Sequence, residues 1–158
     1  MTRPAVLFVC LGNICRSPLA EAAFRERAAE AGLDVEVDSA GTGAWHVGEP
    51  PDRRAQATAR RHGIDISHIR GRQVAPVDFR RFTHIFALDR DNLAGLRRVA
   101  PDDATAQVGL LLGLVPGLEG QSVADPYYGE EAGFEQTWAQ VDSAAQALVA
   151  RLARERGG

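Results

Sequence analysis

Apolar and polar positions along the chain follow two rhythms. Short runs rich in apolar and β-branched residues occur at Ala5 to Val9 (AVLFV), Val35 to Ser39 (VEVDS), His84 to Leu88 (HIFAL) and Val108 to Leu112 (VGLLL), and these read as strands. Between them the spacing turns helical. From Pro18 onward Ala20, Ala23, Phe24, Ala28 and Ala31 share one face of a helix that Gly32 stops. A second helix is expected over Asp52 to His62, behind Pro50-Pro51 and ending at Gly63, and a third over Asp91 to Val99, after Asp89 and before Pro101. The last and clearest stripe, Phe134, Trp138, Val141, Ala145, Leu148 and Leu152, predicts a helix from about residue 130 to the end of the chain. Strands alternating with helices predict an α/β fold with a parallel sheet covered by helices. No internal repeat, low-complexity tract or linker divides the chain, so residues 1–158 are expected to form a single domain.

The junction between the first strand and first helix, VCLGNICRS, then stands out, because open parallel sheets bind ligands beyond the carboxyl ends of their strands. Backbone amides in such a loop, backed by a helix start, make an anion cradle. Gly12 and Asn13 are the residue types that most readily accept the positive φ this requires. Ser17-Pro18 suits the helix start, with Ser17 near the N-cap and Pro18 in the first turn. At the mouth of the cradle, the amides, the helix start and Arg16 would favour the thiolate of Cys10, giving a nucleophile aimed at an anion. Arg16 offers a planar fork for two oxygens of a phosphoryl group.

Composition narrows the chemistry further. The formal charge of −3 leaves no basic footprint, and nucleic acid is not an expected partner. All 18 basic residues are arginine, which excludes lysine Schiff bases and a Walker-type nucleotide site. The apolar run behind Met1 is too short for a signal peptide and no segment approaches membrane-spanning length, so no membrane association is expected. Cys10 and Cys15 do not make a secreted disulfide framework, which points to the reducing cytoplasm. With C-x4-C and His46, His62, His68 and His84, no histidine pair has the close spacing of a structural zinc site, and no metal is expected.

Residues 10 to 18, CLGNICRSP, together with Asp125-Pro126-Tyr127-Tyr128-Gly129, resemble the two signatures of the low-molecular-weight protein tyrosine phosphatases. The first matches that family's CxGNxCRSP loop at every fixed position, and Ser39-Ala40-Gly41-Thr42 extends the likeness over essentially the whole chain. The resemblance implies a four-stranded sheet of flavodoxin-like order 2-1-3-4, with the phosphate loop after the first strand. It implies hydrolysis of protein phosphotyrosine and aryl phosphates through a cysteinyl-phosphate, without metal or other cofactor; inorganic phosphate or another oxyanion is expected in the loop, and the chain is expected to act as a monomer.

By this similarity Cys10 is the nucleophile, Arg16 the phosphate clamp and Asp125 the general acid. Leu11, Gly12, Asn13, Ile14, Cys15 and Ser17 complete the phosphate loop, and Ser17 donates to the thiolate. Asn13, Ser39 and His68 resemble the network that holds the loop's turn. Trp45, Tyr127 and Tyr128 could wall a slot for an aromatic ring. Cys15 lies on the same tight loop as Cys10 and reads as its redox partner. Arsenate reductases of this fold pass a disulfide to further cysteines, and the chain has none beyond residue 15. A flavin-phosphate module would need neither a cysteine nor a distant Asp-Pro.

Ile14 bears on substrate choice. Phosphoarginine phosphatases of similar sequence carry threonine at this position, so isoleucine is expected to favour a phenyl ring.

Overall fold

The computed structural model describes residues 3–127, 129 and 131–157, with the backbone alone for Glu131, Arg156 and Gly157. In it the first apolar run becomes β1 (Ala5–Cys10), every residue of which is buried. Such a strand has to be central, because both of its faces need cover. It lies between β2 (Glu36–Gly41) and β3 (His84–Ala87), with β4 (Gln107–Leu110) outside β3, all pairs parallel. The order β2-β1-β3-β4 is the one the resemblance implies.

Parallel neighbours need crossover connections, and the helices supply them. They are α1 (Arg16–Glu30), α2 (Arg53–Arg61), α3 (Asp78–Arg81), α4 (Arg90–Val99) and α5 (Glu131–Gly157). Because side chains alternate along a strand, β1 feeds two separate cores. Val6, Phe8 and Cys10 join the layer built on α1, α2 and α5, while Ala5, Leu7 and Val9 join Phe79, Phe82 and Leu96 on the other face. In the first layer Phe8 meets Phe24 edge to face, with centroids 5.8 Å apart. Burying each such ring contributes roughly 2–3 kcal/mol. Arg27 ties α1 to α5 through a forked pair with Asp142, both bonds 2.8 Å.

Local signals end the elements where the sequence predicts. Gly32, at φ +66°, follows α1, and Leu33 N–H then bonds the Ala28 carbonyl at 2.9 Å, closing the left-handed cap that only glycine enters without strain. Elsewhere the structure departs from expectation. The fourth strand stops at Leu110, and Leu111–Leu114 form a single 3-10 turn that buries Leu111 and Leu112 together. Periodicity cannot separate these outcomes in an unbroken apolar run. Helix α3, only one turn long, is too short to carry a periodic signal.

Since β1 turns to β2 on one side and is flanked by β3 on the other, the crevice beyond its carboxyl end is where the strand order reverses. The loop after Cys10 opens there. Among the described residues, no helix is long and apolar enough to cross a membrane.

Candidate active site

Cys10 closes β1, and the chain behind it curls back on its sulfur. Asn13 takes φ 60°, which its short polar side chain tolerates. Its amide donates to Cys10 Sγ at 3.3 Å, and Ser17 Oγ lies 3.0 Å from the same sulfur. The first half of the loop continues the parallel ladder, since Thr42 and Gly43 amides donate to the Cys10 and Leu11 carbonyls, each at 2.9 Å. A side chain at Gly41 would put its Cβ 2.8 Å from the Leu11 carbonyl oxygen, so glycine is what lets β2 approach.

The Asn13 side chain is fully engaged. Its Nδ2 donates to Ser17 Oγ at 2.8 Å and Ser39 Oγ at 3.0 Å, and its Oδ1 accepts from the Arg72 amide at 3.0 Å. Ser39 in turn donates to Glu21, a buried carboxylate on α1 paired with Arg25. Arg72 is held by a fork on buried Asp78 and by Asp38. This network anchors the turn from two sides. His68, expected in it, is exposed and stands outside it. The Arg72 backbone amide meets Asn13 Oδ1 instead.

Ser17 also differs from the sequence reading. It is the second helical residue of α1 rather than its N-cap, which is Cys15 with no capping side chain. Its hydroxyl is drawn inward to Cys10 and Asn13, while the first-turn amides of the helix go without a side-chain acceptor. Those uncapped donors and the helix dipole favour an anion over the loop.

Arg16 is only 3% exposed, and its guanidinium is aimed by acceptors on its far side. Nη1 donates to Asp89 Oδ2 at 2.8 Å and to the Val123 carbonyl at 3.1 Å. Asp89 serves twice, because its other oxygen caps α4 through the Asn92 amide at 2.6 Å. Arg16 Nη2 lies 3.6 Å from Asp125 Oδ2, which brings the downstream Asp-Pro motif onto the loop. Asp125 is itself steadied by the Tyr127 amide at 3.1 Å. The preceding residue is pinned to α5, where Thr137 donates to the Ala124 carbonyl and Gln140 accepts from the Ala124 amide.

Above the loop lies a cleft of about 410 Å³. Cys10, Ile14, Cys15, Arg16 and Asp125 border it together with Leu11, Trp45, His46 and Tyr127, of which Leu11, Trp45 and Tyr127 are exposed side chains at its rim. Trp45 is 72% exposed, which for an indole marks a contact surface rather than core. Tyr128 lies outside the described residues. Cys15 is buried, and burial, with Asp52, Cys10 and Asp125 adding to it, pushes its thiol far above the ordinary range. Among the described residues, no group of three or more histidine, cysteine and acidic side chains is gathered as for a metal.

The sequence reading did not assign Asp89, Glu21, Arg72 and His46 to the site. Asp89 carried a signal, as the residue just ahead of a predicted helix, but a cap and a partner for Arg16 look alike in sequence. Glu21 stands alone among the apolar residues of the first predicted helix and Arg72 in a basic loop, and neither has a local signal naming its partner.

A phosphate cradle with a thiol at its base, an arginine beside it and a carboxyl group at its mouth defines a cysteine-dependent phosphatase site. Residues 5–157 match the family of low molecular weight phosphotyrosine protein phosphatases, and the chain belongs to that family. The Schizosaccharomyces pombe low molecular weight phosphotyrosine protein phosphatase is 44% identical, over 94% of this chain and 96% of that one. The crystal structure of YfkJ from Bacillus subtilis, 40% identical, superposes with a TM-score of 0.90 over 98% of each chain. A Drosophila arginine phosphatase, 34% identical, superposes with a TM-score of 0.88 over 93% of this chain and 96% of that one.

Proposed function

We propose that this protein hydrolyses phosphotyrosine in proteins through a cysteinyl-phosphate and without a metal, acting as a single-domain cytoplasmic monomer that does not engage nucleic acid. The phosphate rests on the loop amides, where the Arg16 fork binds two of its oxygens and stabilises the charge that builds up as the transition state forms. Cys10 Sγ attacks phosphorus, and the bond to the tyrosine oxygen breaks as Asp125 delivers a proton to the departing phenolate. The same carboxylate then takes a proton from the water that attacks the cysteinyl-phosphate, releasing inorganic phosphate and returning Cys10 as leaving group. Ser17, 3.0 Å from the sulfur, donates a hydrogen bond that steadies the departing thiolate.

The observation that carries this reading is the meeting of Cys10, Arg16 and Asp125 at one cleft although 114 residues lie between the first and the last in sequence, the Asp125 carboxylate lying 3.6 Å from the Arg16 fork. The match over residues 5–157 supports the single domain, and the charge of −3 weighs against a nucleic-acid role. Hydrolysis of an aryl phosphate with excess chelator, with and without vanadate, is the direct test. Turnover that resists chelator and stops with vanadate is expected, and Cys10→Ser should abolish it while still binding oxyanion. Activity that chelator removes, or that survives in Cys10→Ser, would refute the proposal.

A further inference from the structure

The segment that carries Asp125 is pinned to α5 on its upstream side by Thr137 and Gln140. Downstream Tyr127 and Gly129 are exposed, and the Asp125 side chain itself is 43% exposed. A carboxyl group on such a segment needs a second anchor to stay within reach of one atom of the substrate. The structure places an arginine there. Arg54, in the first turn of α2, donates from Nη2 to the Tyr127 carbonyl at 2.9 Å and from Nη1 to the Gly129 carbonyl at 3.2 Å. Its guanidinium carbon also sits 4.8 Å from the Phe134 ring centroid and 5.6 Å from that of Tyr127.

Arg54 is itself fixed on the phosphate-loop side. Asp52, the N-cap of α2, accepts from the Arg54 side chain through both carboxylate oxygens, each at 3.1 Å. The Asp52 amide donates to the Ile14 carbonyl at 2.8 Å. Burial works against the Asp52 charge, yet the Arg54 hydrogen bonds outweigh it and hold that carboxyl below its usual range. One continuous path therefore runs from Ile14 through Asp52 and Arg54 to Tyr127. The Tyr127 main chain completes it, because the amide on one side of its Cα holds the Asp125 carboxylate while Arg54 holds the carbonyl on the other.

We infer that Arg54 is a positioning residue for proton transfer, a strap that sets the Asp125 carboxyl at a fixed place relative to the phosphate loop by binding the Tyr127 and Gly129 carbonyls. The inference rests on the reading of Asp125 as general acid. Arg54 touches neither the phosphate nor the sulfur in this scheme, so its loss acts through the proton alone. A planar fork bonding two carbonyls and a carboxylate together cannot be copied by lysine, whose ammonium is a single point of donation.

The test compares phenyl phosphate, whose leaving group needs the proton, with 4-nitrophenyl phosphate, whose leaving group hardly does. For Arg54→Ala, kcat/KM, which reports the steps up to loss of the leaving group and not the shared hydrolysis of the cysteinyl-phosphate, should fall about tenfold with the first and less than about twofold with the second. The inhibition constant for vanadate should stay within about twofold, which also reports a folded loop. Arg54→Lys, which keeps the charge beside Asp52 and is the variant to read if alanine does not fold, should show the same dependence on leaving group. In an Asp125→Asn background either substitution should add almost nothing. Level losses across the two substrates for the Arg54 variants, beside a steep dependence for Asp125→Asn, would overturn the strap and leave the general acid standing. Level losses for Asp125→Asn itself would remove the general acid and the strap with it.

Discussion

Replacing Asn13 by alanine should be among the most damaging single changes outside the reacting groups, and its size follows from the contacts already described. The substitution strands the Arg72 amide, at roughly 1–3 kcal/mol, and removes two bonds to Ser17 and Ser39, each worth about 1 kcal/mol after the hydroxyls reorient. Alanine at φ 60° adds up to about 1 kcal/mol that asparagine largely avoids. The sum is about 4 kcal/mol. For a chain of 158 residues this corresponds to a fall in Tm of about 10–15 °C. Urea unfolding of wild type, Asn13→Ala and Asn13→Gly separates the contributions, because glycine loses the same bonds and relieves the backbone. The two variants should lie within about 1 kcal/mol of each other, both far below wild type. Turnover should drop about 100-fold as the Asn13 amide moves off Cys10 Sγ. A loss of stability under about 1 kcal/mol in Asn13→Ala would show that water or neighbouring groups satisfy Arg72, and would refute the account of the turn.

Three further outcomes are expected. Wild type should strongly prefer phosphotyrosine peptides to phosphoarginine, and Ile14→Thr should gain phosphoarginine turnover; equal wild-type efficiency on both would defeat this use of Ile14. Peroxide should oxidise Cys10 to a sulfenic acid; the Cys15 sulfur then attacks the Cys10 sulfur to form a disulfide, and the sulfenic hydroxyl leaves with the thiol proton as water; dithiothreitol should then restore wild type but not Cys15→Ala, and equal recovery would end the protective role. Burial lowers the affinity of His84 for a proton, and nearby Arg151 lowers it further against the opposing pull of Glu155. The unfolded chain therefore binds more protons between the lowered native value and about 6.5, so this group's contribution is complete above that range and fades as pH falls through it. His84→Phe, which can keep the stack on Phe86, should flatten that acid-side decline in urea titrations, and an unchanged slope would assign it elsewhere.

The central strand, the loop and the first helix were readable because each carries a local signal: a continuous apolar run, Gly12-Asn13 at the turn, and an apolar face closed by Gly32. Asp125 was readable only through its resemblance to a motif, since an aspartate before proline is otherwise a common turn. The parts that stayed hidden share a physical cause. Asp89, Glu21, Arg54 and Arg72 act through partners distant in sequence, and a charged residue gives no sign of which partner the fold will bring. His68 failed in the opposite direction. Its position was inferred from likeness alone, and the chain there turns the ring to solvent while a backbone amide takes the contact with Asn13.

The approach of β2 to the loop at Gly41 carries a consequence for inhibitor discovery. The phosphate loop is held in place by Asn13, by the Thr42 and Gly43 amides on their carbonyl acceptors and by a strand that leaves no room for a side chain at position 41, so its shape is set by the chain's own contacts rather than by a bound substrate. A compound that mimics phosphate meets a loop whose shape these main-chain bonds and the buried Asn13 fix, which a substitution at the rim cannot readily reshape. Selectivity between paralogues is then to be sought at Leu11, Trp45, His46 and Tyr127, where side chains are free to differ. Fragments that grow outward from an oxyanion toward that rim should separate related phosphatases, whereas refinement of the anionic head should raise potency against all of them alike.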